Sequence, residues 1–196
     1  MKYPIISQSH YNGIHTIPLD DAMFNDRSVY LNNEVNYDTV NSLMFQFLYL
    51  DKQSQDDPIK FYINTPGGDC TAGLCLYDVI RNISAPVITI NVGMCASMGS
   101  ILFLAGDTRC MLEHATVFIH DPLTDMGIVQ PMSAMEKLES LDEMRNELAR
   151  IISSRTGQKL DIVKDLTSKE TYFNYEEAKS FGFVTNDYDV IFKGGH

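Results

Sequence analysis

Two hydrophobic rhythms alternate along this chain, one with a period of two and one with a period near three and a half. Ser28-Val29-Tyr30-Leu31 reads as a first strand. From Asn36 onward Val40, Leu43, Met44, Phe47 and Leu48 recur at i, i+3, i+4, i+7 and i+8, an amphipathic helix stopped by the polar run 51–57 and by Pro58. Ile59 to Asn64 makes a second strand, and a helix over 70–83 carries Leu74, Tyr77, Asp78 and Arg81 on neighbouring turns before Pro86 breaks it. Strand 87–92 is rich in β-branched residues and leads to a buried helical turn at 100–105. Residues 108–112 and 116–119 supply further strands. Beyond an irregular stretch between Pro122 and Pro131, Met135, Leu138, Leu141, Met144, Leu148, Ile151 and Ile152 recur every three or four residues up to Gly157, a long helix with a glycine stop. Asn174-x-x-Glu177 has the form of a capping box, Gly182 ends that helix, and Val190-Ile191-Phe192 reads as a last strand. Residues 1–21 hold Pro4, Gly13 and Pro18, follow neither rhythm, and read as a mobile N-terminal arm.

Strands alternating with helices predict an α/β fold of parallel βαβ units with right-handed crossovers. A chain of 196 residues suits one sizeable core, so 22–196 reads as a single domain with no linker and no internal repeat. The 44% hydrophobic and 21% charged fractions are ordinary for a globular protein and change nothing in that picture. Charge does. A formal net charge of −11 without any Lys/Arg cluster argues against a nucleic-acid surface, which needs concentrated positive charge to neutralise phosphates. Cys70, Cys75, Cys95 and Cys110 sit in or beside apolar segments without metal-ligand spacing, so they read as reduced, semi-buried thiols in a reducing compartment, the cytoplasm or an organelle interior. Residues 1–17 contain no apolar run suited to a signal peptide, and no stretch approaches a membrane span.

The candidate chemistry lies at strand ends. In Gly93-Met94-Cys95-Ala96-Ser97-Met98-Gly99-Ser100 a serine stands among small residues at a strand-to-helix junction, where a substrate backbone can come close and free helix N–H groups face any developing charge. A serine that merely caps the next helix is the plain alternative. Upstream, Asn64-Thr65-Pro66-Gly67-Gly68-Asp69 is a second strand-to-helix turn, so Gly68 and Met98 are candidate amide donors to an oxyanion. Downstream, strand 116–119 ends in His120-Asp121-Pro122, which places an imidazole where a general base is needed, although a structural histidine also occurs at such positions.

These three blocks, in this order and at this spacing, resemble the proteolytic subunit of the Clp protease (ClpP), and the similarity runs from about Val29 to Val184. The resemblance implies a ClpP/crotonase-like fold of repeated ββα units forming a compact head, with a protruding strand-helix handle at approximately 121–157. It implies Ser97 as nucleophile, His120 as general base, and Gly68 and Met98 as the oxyanion hole, with no metal or organic cofactor. The family places an aspartate ahead of the last capped helix; an ungapped match puts Glu170 there, with Asp165 in reserve and a surface charge as the competing reading of Glu170. The implied activity is that of a serine endopeptidase cutting unfolded polypeptides inside an oligomeric chamber fed by an AAA+ Clp ATPase. The implied partner is first of all itself, in a heptameric ring stacked on a second ring. Weak or purely structural participation beside a more active paralogous ClpP subunit, and an acyl-CoA enzyme of the crotonase type, are the competing functions.

Two departures from the family bear on partners. The acid-arginine-acid run that links opposed rings in many relatives is Ser168-Lys169-Glu170, so ring pairing would need other contacts. The hydrophobic pocket that docks ATPase loops keeps Tyr62, Ile90 and Leu112, but Lys60 and Asn82 fall where aromatics are usual. An ammonium there must snorkel or weaken docking.

Overall fold

The computed structural model describes residues 4–11, 13–123, 127 and 130–188. It opens with an antiparallel hairpin, β1 (Ile5–His10) and β2 (Gly13–Pro18), followed by helix α1 (Leu19–Asn25). The segment that reads as irregular in sequence is therefore paired with itself. Its signal is faint because burial enforces little alternation on the hairpin: Ile5 and Ile14 are 72% and 75% exposed. The strand expected at 190–192 lies outside the described residues, as does much of the stretch that would hold the strand of the handle.

The remaining elements are β3 (Ser28–Leu31), α2 (Tyr37–Gln53), β4 (Ile59–Thr65), α3 (Cys70–Asn82), β5 (Val87–Ala96), α4 (Met98–Leu104), β6 (Thr108–Met111), β7 (Thr116–Ile119), α5 (Pro131–Thr156), α6 (Leu160–Ser168), β8 (Thr171–Phe173) and α7 (Tyr175–Phe181). Strands β3 to β8 form one sheet in the order β3-β4-β5-β7-β8, with β6 also paired to β5. All pairs are parallel except β7 with β8. Ten-residue β5 takes two partners in succession, β6 along Ile88–Asn91 and β7 along Met94–Ala96. Because β4, β5 and β7 run in the same direction, their three C-terminal ends, the turn at 65–69, Ser97 and His120, emerge at one edge of the sheet. Parallel α/β sheets build their sites at that edge.

Alternation fixes the faces. In β4 Ile59, Phe61 and Ile63 are fully buried, while Lys60 and Tyr62 point the other way. Helix α2 starts at a reciprocal capping box, with Thr39 N–H donating to Asn36 Oδ1 and Asn36 N–H donating to Thr39 Oγ1, both at 3.0 Å. It buries Val40, Leu43, Phe47 and Leu50, and Phe47 meets Phe61 edge-on at 5.2 Å. Every residue of α4 is buried. A short helix with apolar and small residues all round belongs in the middle of a core.

The long helix divides in two. Its C-terminal half buries Ala149, Ile151 and Ile152, whereas Met132, Met135 and Leu138 are 67%, 59% and 55% exposed. The apolar stripe read from the sequence is thus core at one end and unpartnered within one chain at the other. Gly157 adopts φ 78 and ends the helix. Buried Arg109 then fastens the C-terminal quarter, donating to the carbonyls of Phe183 (2.8 Å), Gly182 (3.0 Å) and Arg155 (3.0 Å). Burial, followed by the neighbouring Arg155 and Arg81 charges, pulls its guanidinium down to about 10.

Candidate active site

Ser97 follows the last residue of β5 and precedes the first of α4. Its φ of 53° and ψ of −123° lie where a residue with a Cβ is strained, at a cost of order 1–3 kcal/mol. Such a turn lifts a hydroxyl out of the strand-helix junction. The surroundings hold it there. Ser97 N–H donates to Phe118 O at 2.8 Å, tying the nucleophile turn to the strand that carries His120. Ser97 O accepts from Ser100 N–H at 2.9 Å and from Ser100 Oγ at 2.7 Å. Ser97 Oγ has no hydrogen-bond partner among the described residues, and resting serine-histidine contacts are commonly long.

Glycine is required beneath this turn. A Cβ on Gly67 would lie 2.6 Å from Ala96 O and 2.7 Å from Ser97 Cβ, and one on Gly68 would meet Val35 O, with φ of 95° and 146° at the two positions. The turn is anchored by Val35, whose N–H donates to Gly67 O and whose carbonyl accepts from Asp69 N–H, both at 2.7 Å. Asp69 caps α3 through Ala72 N–H at 2.7 Å. The N–H groups of Gly68 and Met98 have no acceptor among the described residues.

His120 follows β7 and stacks on Phe118, centroids 5.1 Å apart, and Phe118 stacks on Tyr172 of β8 at 4.1 Å. Its Nδ1 lies 2.6 Å from Asp121 O. A carbonyl only accepts, so Nδ1 is the donor in this contact, and in a neutral imidazole that arrangement leaves the lone pair on Nε2. Ser97, Met98 and His120 line one narrow cavity of about 20 Å³, room for one water-sized group, together with Cys70, Asp121, Arg145 and Thr167. Cys70 is the other nucleophilic atom type on that wall. Burial, reinforced by Asp69, pushes its thiol up, which keeps it protonated and unreactive.

The two candidate acids stand elsewhere. Neither Glu170 nor Asp165 lines the cavity. Asp165 is exposed and paired with Lys169 at 2.7 Å. Glu170 is exposed, with φ 57, in the turn between α6 and β8. The β7–β8 register pairs Val117 with Phe173, Phe118 with Tyr172 and Ile119 with Thr171, and it ends there, one residue short of His120 on one strand and of Glu170 on the other. The nearest carboxylate to the imidazole in sequence is Asp121, which the motif reading passes over because it looks like part of a His-Asp-Pro turn.

Of the expected docking residues, Ile90 is fully buried and Tyr62 is half-buried, stacked on Tyr30 at 4.8 Å. Leu112 is partly buried. Lys60 snorkels: its Nζ meets Asp26 Oδ2 at 2.9 Å, so its charge is answered at the rim. The Asn82 amide turns back to Asp78 O at 2.8 Å. All four cysteines are free thiols; Cys95 and Cys110 are buried, but Cys75 is exposed rather than semi-buried. Among the described residues no cluster of His, Cys, Asp and Glu could hold a metal ion, and no helix is long and apolar enough to cross a membrane.

Known proteins are similar to this chain in sequence. The family model described as Clp protease matches residues 12–190. The chain is 38% identical over 161 residues to the ATP-dependent Clp protease proteolytic subunit 3 of Parasynechococcus marenigrum (strain WH8102), covering 81% of this chain and 80% of the relative. It is 37% identical to the subunit of the same name from Synechococcus sp. (strain CC9605), with the same coverage. It is also 36% identical to the ATP-dependent Clp protease proteolytic subunit 2 of Prochlorococcus marinus (strain MIT 9312), covering 81% and 79%. A strained serine at a strand-helix turn, two unspent amides and a histidine on the adjacent strand end sit within a sequence matched over most of its length: the chain belongs to the Clp protease family.

Proposed function

We propose that the chain is the proteolytic subunit of an ATP-dependent Clp protease, a serine endopeptidase with Ser97 as nucleophile and His120 as general base. The observation that carries this reading is the Ser97 N–H to Phe118 O bond, which locks the nucleophile turn against the strand that ends in His120. His120 Nε2 accepts the Ser97 hydroxyl proton as Oγ attacks the peptide carbonyl; the carbonyl oxygen takes the negative charge between the Gly68 and Met98 amides. Collapse breaks the C–N bond, the imidazolium proton goes to the leaving amine, and an acyl ester remains on Ser97. Water, deprotonated by the same imidazole, releases the second peptide and restores the serine. Glu170 is the orienting carboxylate in this reading, supported by its place next to Thr171, the partner of Ile119 at the end of the β7–β8 pair.

Oligomeric assembly and a Clp ATPase partner go with the family. The finer reading is a heptameric ring, stacked in pairs through α5, whose exposed Met132, Met135 and Leu138 form a seam between subunits. ATPase loops dock at Tyr62 and Leu112, with Ile90 as the floor, and a paralogous subunit can share the ring. The site of action is the cytoplasm or an equivalent reducing compartment, which suits four free thiols.

Hydrolysis of a short fluorogenic peptide by the purified assembly tests the reading. Ser97→Ala and His120→Ala each abolish turnover while leaving the assembled mass unchanged; turnover surviving in Ser97→Ala assigns the chemistry to another residue.

A further inference from the structure

The residue after the general base is held from three directions. Asp121 N–H donates to Thr167 O at 3.1 Å, at the end of α6. Its carbonyl oxygen lies 2.6 Å from His120 Nδ1. Its carboxylate reaches α5, where Oδ2 lies 2.9 Å from Arg145 Nε. That pair is close in charge but poorly aligned: Arg145 Nε has no hydrogen-bond partner in good geometry, and the other carboxylate oxygen, Asp121 Oδ1, is a buried atom with none among the described residues. Arg145 is shared with Asp142, whose Oδ1 is 3.6 Å from a terminal guanidinium nitrogen. Asp121 and Arg145 both line the Ser97–His120 cavity, which Glu170 and Asp165 do not.

An acceptor left unsatisfied in a buried place is unfavourable in the resting state, and it becomes favourable when positive charge develops beside it. His120 becomes an imidazolium each time it takes the Ser97 proton. Of Asp121, Asp165 and Glu170, Asp121 alone lies on the cavity wall, and its unpartnered Oδ1 is a buried atom on a side chain that is 30% exposed. Arg145 holds that carboxylate toward α5, while the backbone carbonyl sets the tautomer.

We propose that Asp121 is a positioning residue for the general base, in addition to Glu170: its carbonyl fixes the proton on His120 Nδ1, and its carboxylate, held by Arg145, answers the imidazolium charge. The proposal rests on the reading of Ser97 and His120 as the catalytic pair. It also makes α5 part of the site, since the anchor of the carboxylate belongs to the helix whose other half is exposed.

The test is steady-state hydrolysis of a fluorogenic peptide by the assembled protein. Asp121→Asn preserves size and the backbone carbonyl but removes the charge; kcat falls about tenfold to a hundredfold, below the loss of on the order of 10⁴ seen when a triad acid is removed, while KM and assembled mass stay as in the parent. Asp121→Glu recovers part of the loss. Arg145→Gln lowers kcat in the same sense, and the double variant Asp121→Asn/Arg145→Gln is no slower than Asp121→Asn, because Arg145 acts through Asp121. Should Asp121→Asn fail to assemble, Arg145→Gln and Asp121→Glu carry the same comparison. The proposal is overturned by kcat within twofold of the parent in Asp121→Asn and Arg145→Gln, or by losses that add in the double variant. Activity surviving in Ser97→Ala would instead remove the catalytic pair itself, so the two failures are distinguishable.

Discussion

Phe118 and Tyr172 face each other across the antiparallel β7–β8 pair with ring centroids 4.1 Å apart and planes 19° from parallel, and the His120 ring stacks on Phe118 in turn. The general base therefore rests on a two-ring platform, half of it supplied by β8. Tyr172 is 62% exposed, so Tyr172→Ala costs little stability, about 0.5–1.5 kcal/mol for the lost stacking. Its larger effect is on kcat, which drops several-fold as the imidazole loses its support. Tyr172→Phe retains the platform and the rate. Thermal melts and peptide hydrolysis on both variants separate the effects; an Ala variant that turns over normally would show the platform to be irrelevant.

Gly67 underlies the nucleophile. With φ at 95° and Ser97 Cβ within 2.7 Å of a methyl added there, Gly67→Ala must displace the turn that presents the hydroxyl. Loss of oxyanion geometry is worth on the order of 10²–10³ in turnover, so Gly67→Ala is expected to fall at least that far. Gly157 also has positive φ, but a Cβ there meets nothing within 4 Å, so Gly157→Ala strains only the backbone and keeps the activity. Equal rates in the two variants would contradict the account of the turn.

Asp107 joins α3 to the sheet: Oδ1 accepts from Arg81 at 2.7 Å and Oδ2 from Val87 N–H at 3.0 Å. Burial pushes its carboxyl up, but those two donors and the Arg81 charge outweigh it and leave the group below its ordinary 3.8. A carboxyl lowered on folding stabilises the fold above its unfolded value and loses that contribution as pH falls through the lower folded value. The melting temperature of the parent therefore exceeds that of Asp107→Asn by a constant margin above about pH 5, and the margin narrows as pH falls below about 4. Melts across that range check it; a margin that widened toward acid would refute the assignment.

Much of this was legible in the chain. Strands β3 to β7 and helices α2 to α5 follow from periodicity because each buries one face or all of itself, as Phe61 in β4 and Phe47 in α2 illustrate. The positions of Ser97 and His120 just after β5 and β7, and of Gly68 and Met98 at the starts of the helical segments, were readable because small residues and turn signals mark strand ends. Other parts left weak traces. The hairpin 5–18 leaves Ile5 and Ile14 exposed, so burial impresses little pattern on it, and three-residue β8 is too short to show a period. The nine-residue α6 does carry a helical signal, Leu160, Val163 and Leu166 at i, i+3 and i+6 with Asp161, Lys164 and Asp165 between them, which the sequence reading passes over because it spans barely two turns. Buried Arg109 looks in sequence like any surface cation, since its partners are backbone carbonyls of residues 155, 182 and 183. The pairing of Asp121 with Arg145 spans two elements far apart in the chain and is visible only once α5 is placed.

The exposed end of α5 sets a prediction about assembly. Met135 and Leu138 are more than half exposed, on a helix about 39 Å long by its rise. Glutamate at either position places a charge in the proposed seam, and burying an unpaired charge is unfavourable enough to oppose association. Met135→Glu/Leu138→Glu should sediment as smaller particles than the parent with an unchanged far-UV spectrum. A parent-sized particle would move the seam elsewhere.

The most direct test of the central claim is labelling of the intact assembly with a fluorophosphonate, which captures only a serine activated by a base and an oxyanion hole, followed by mass spectrometry of the digested protein. The account predicts one modified residue, Ser97, with loss of the label in Ser97→Ala and loss of peptide hydrolysis in step with labelling. Assembled protein that hydrolyses peptides while Ser97 stays unmodified, or that carries the label on any other residue, would contradict it.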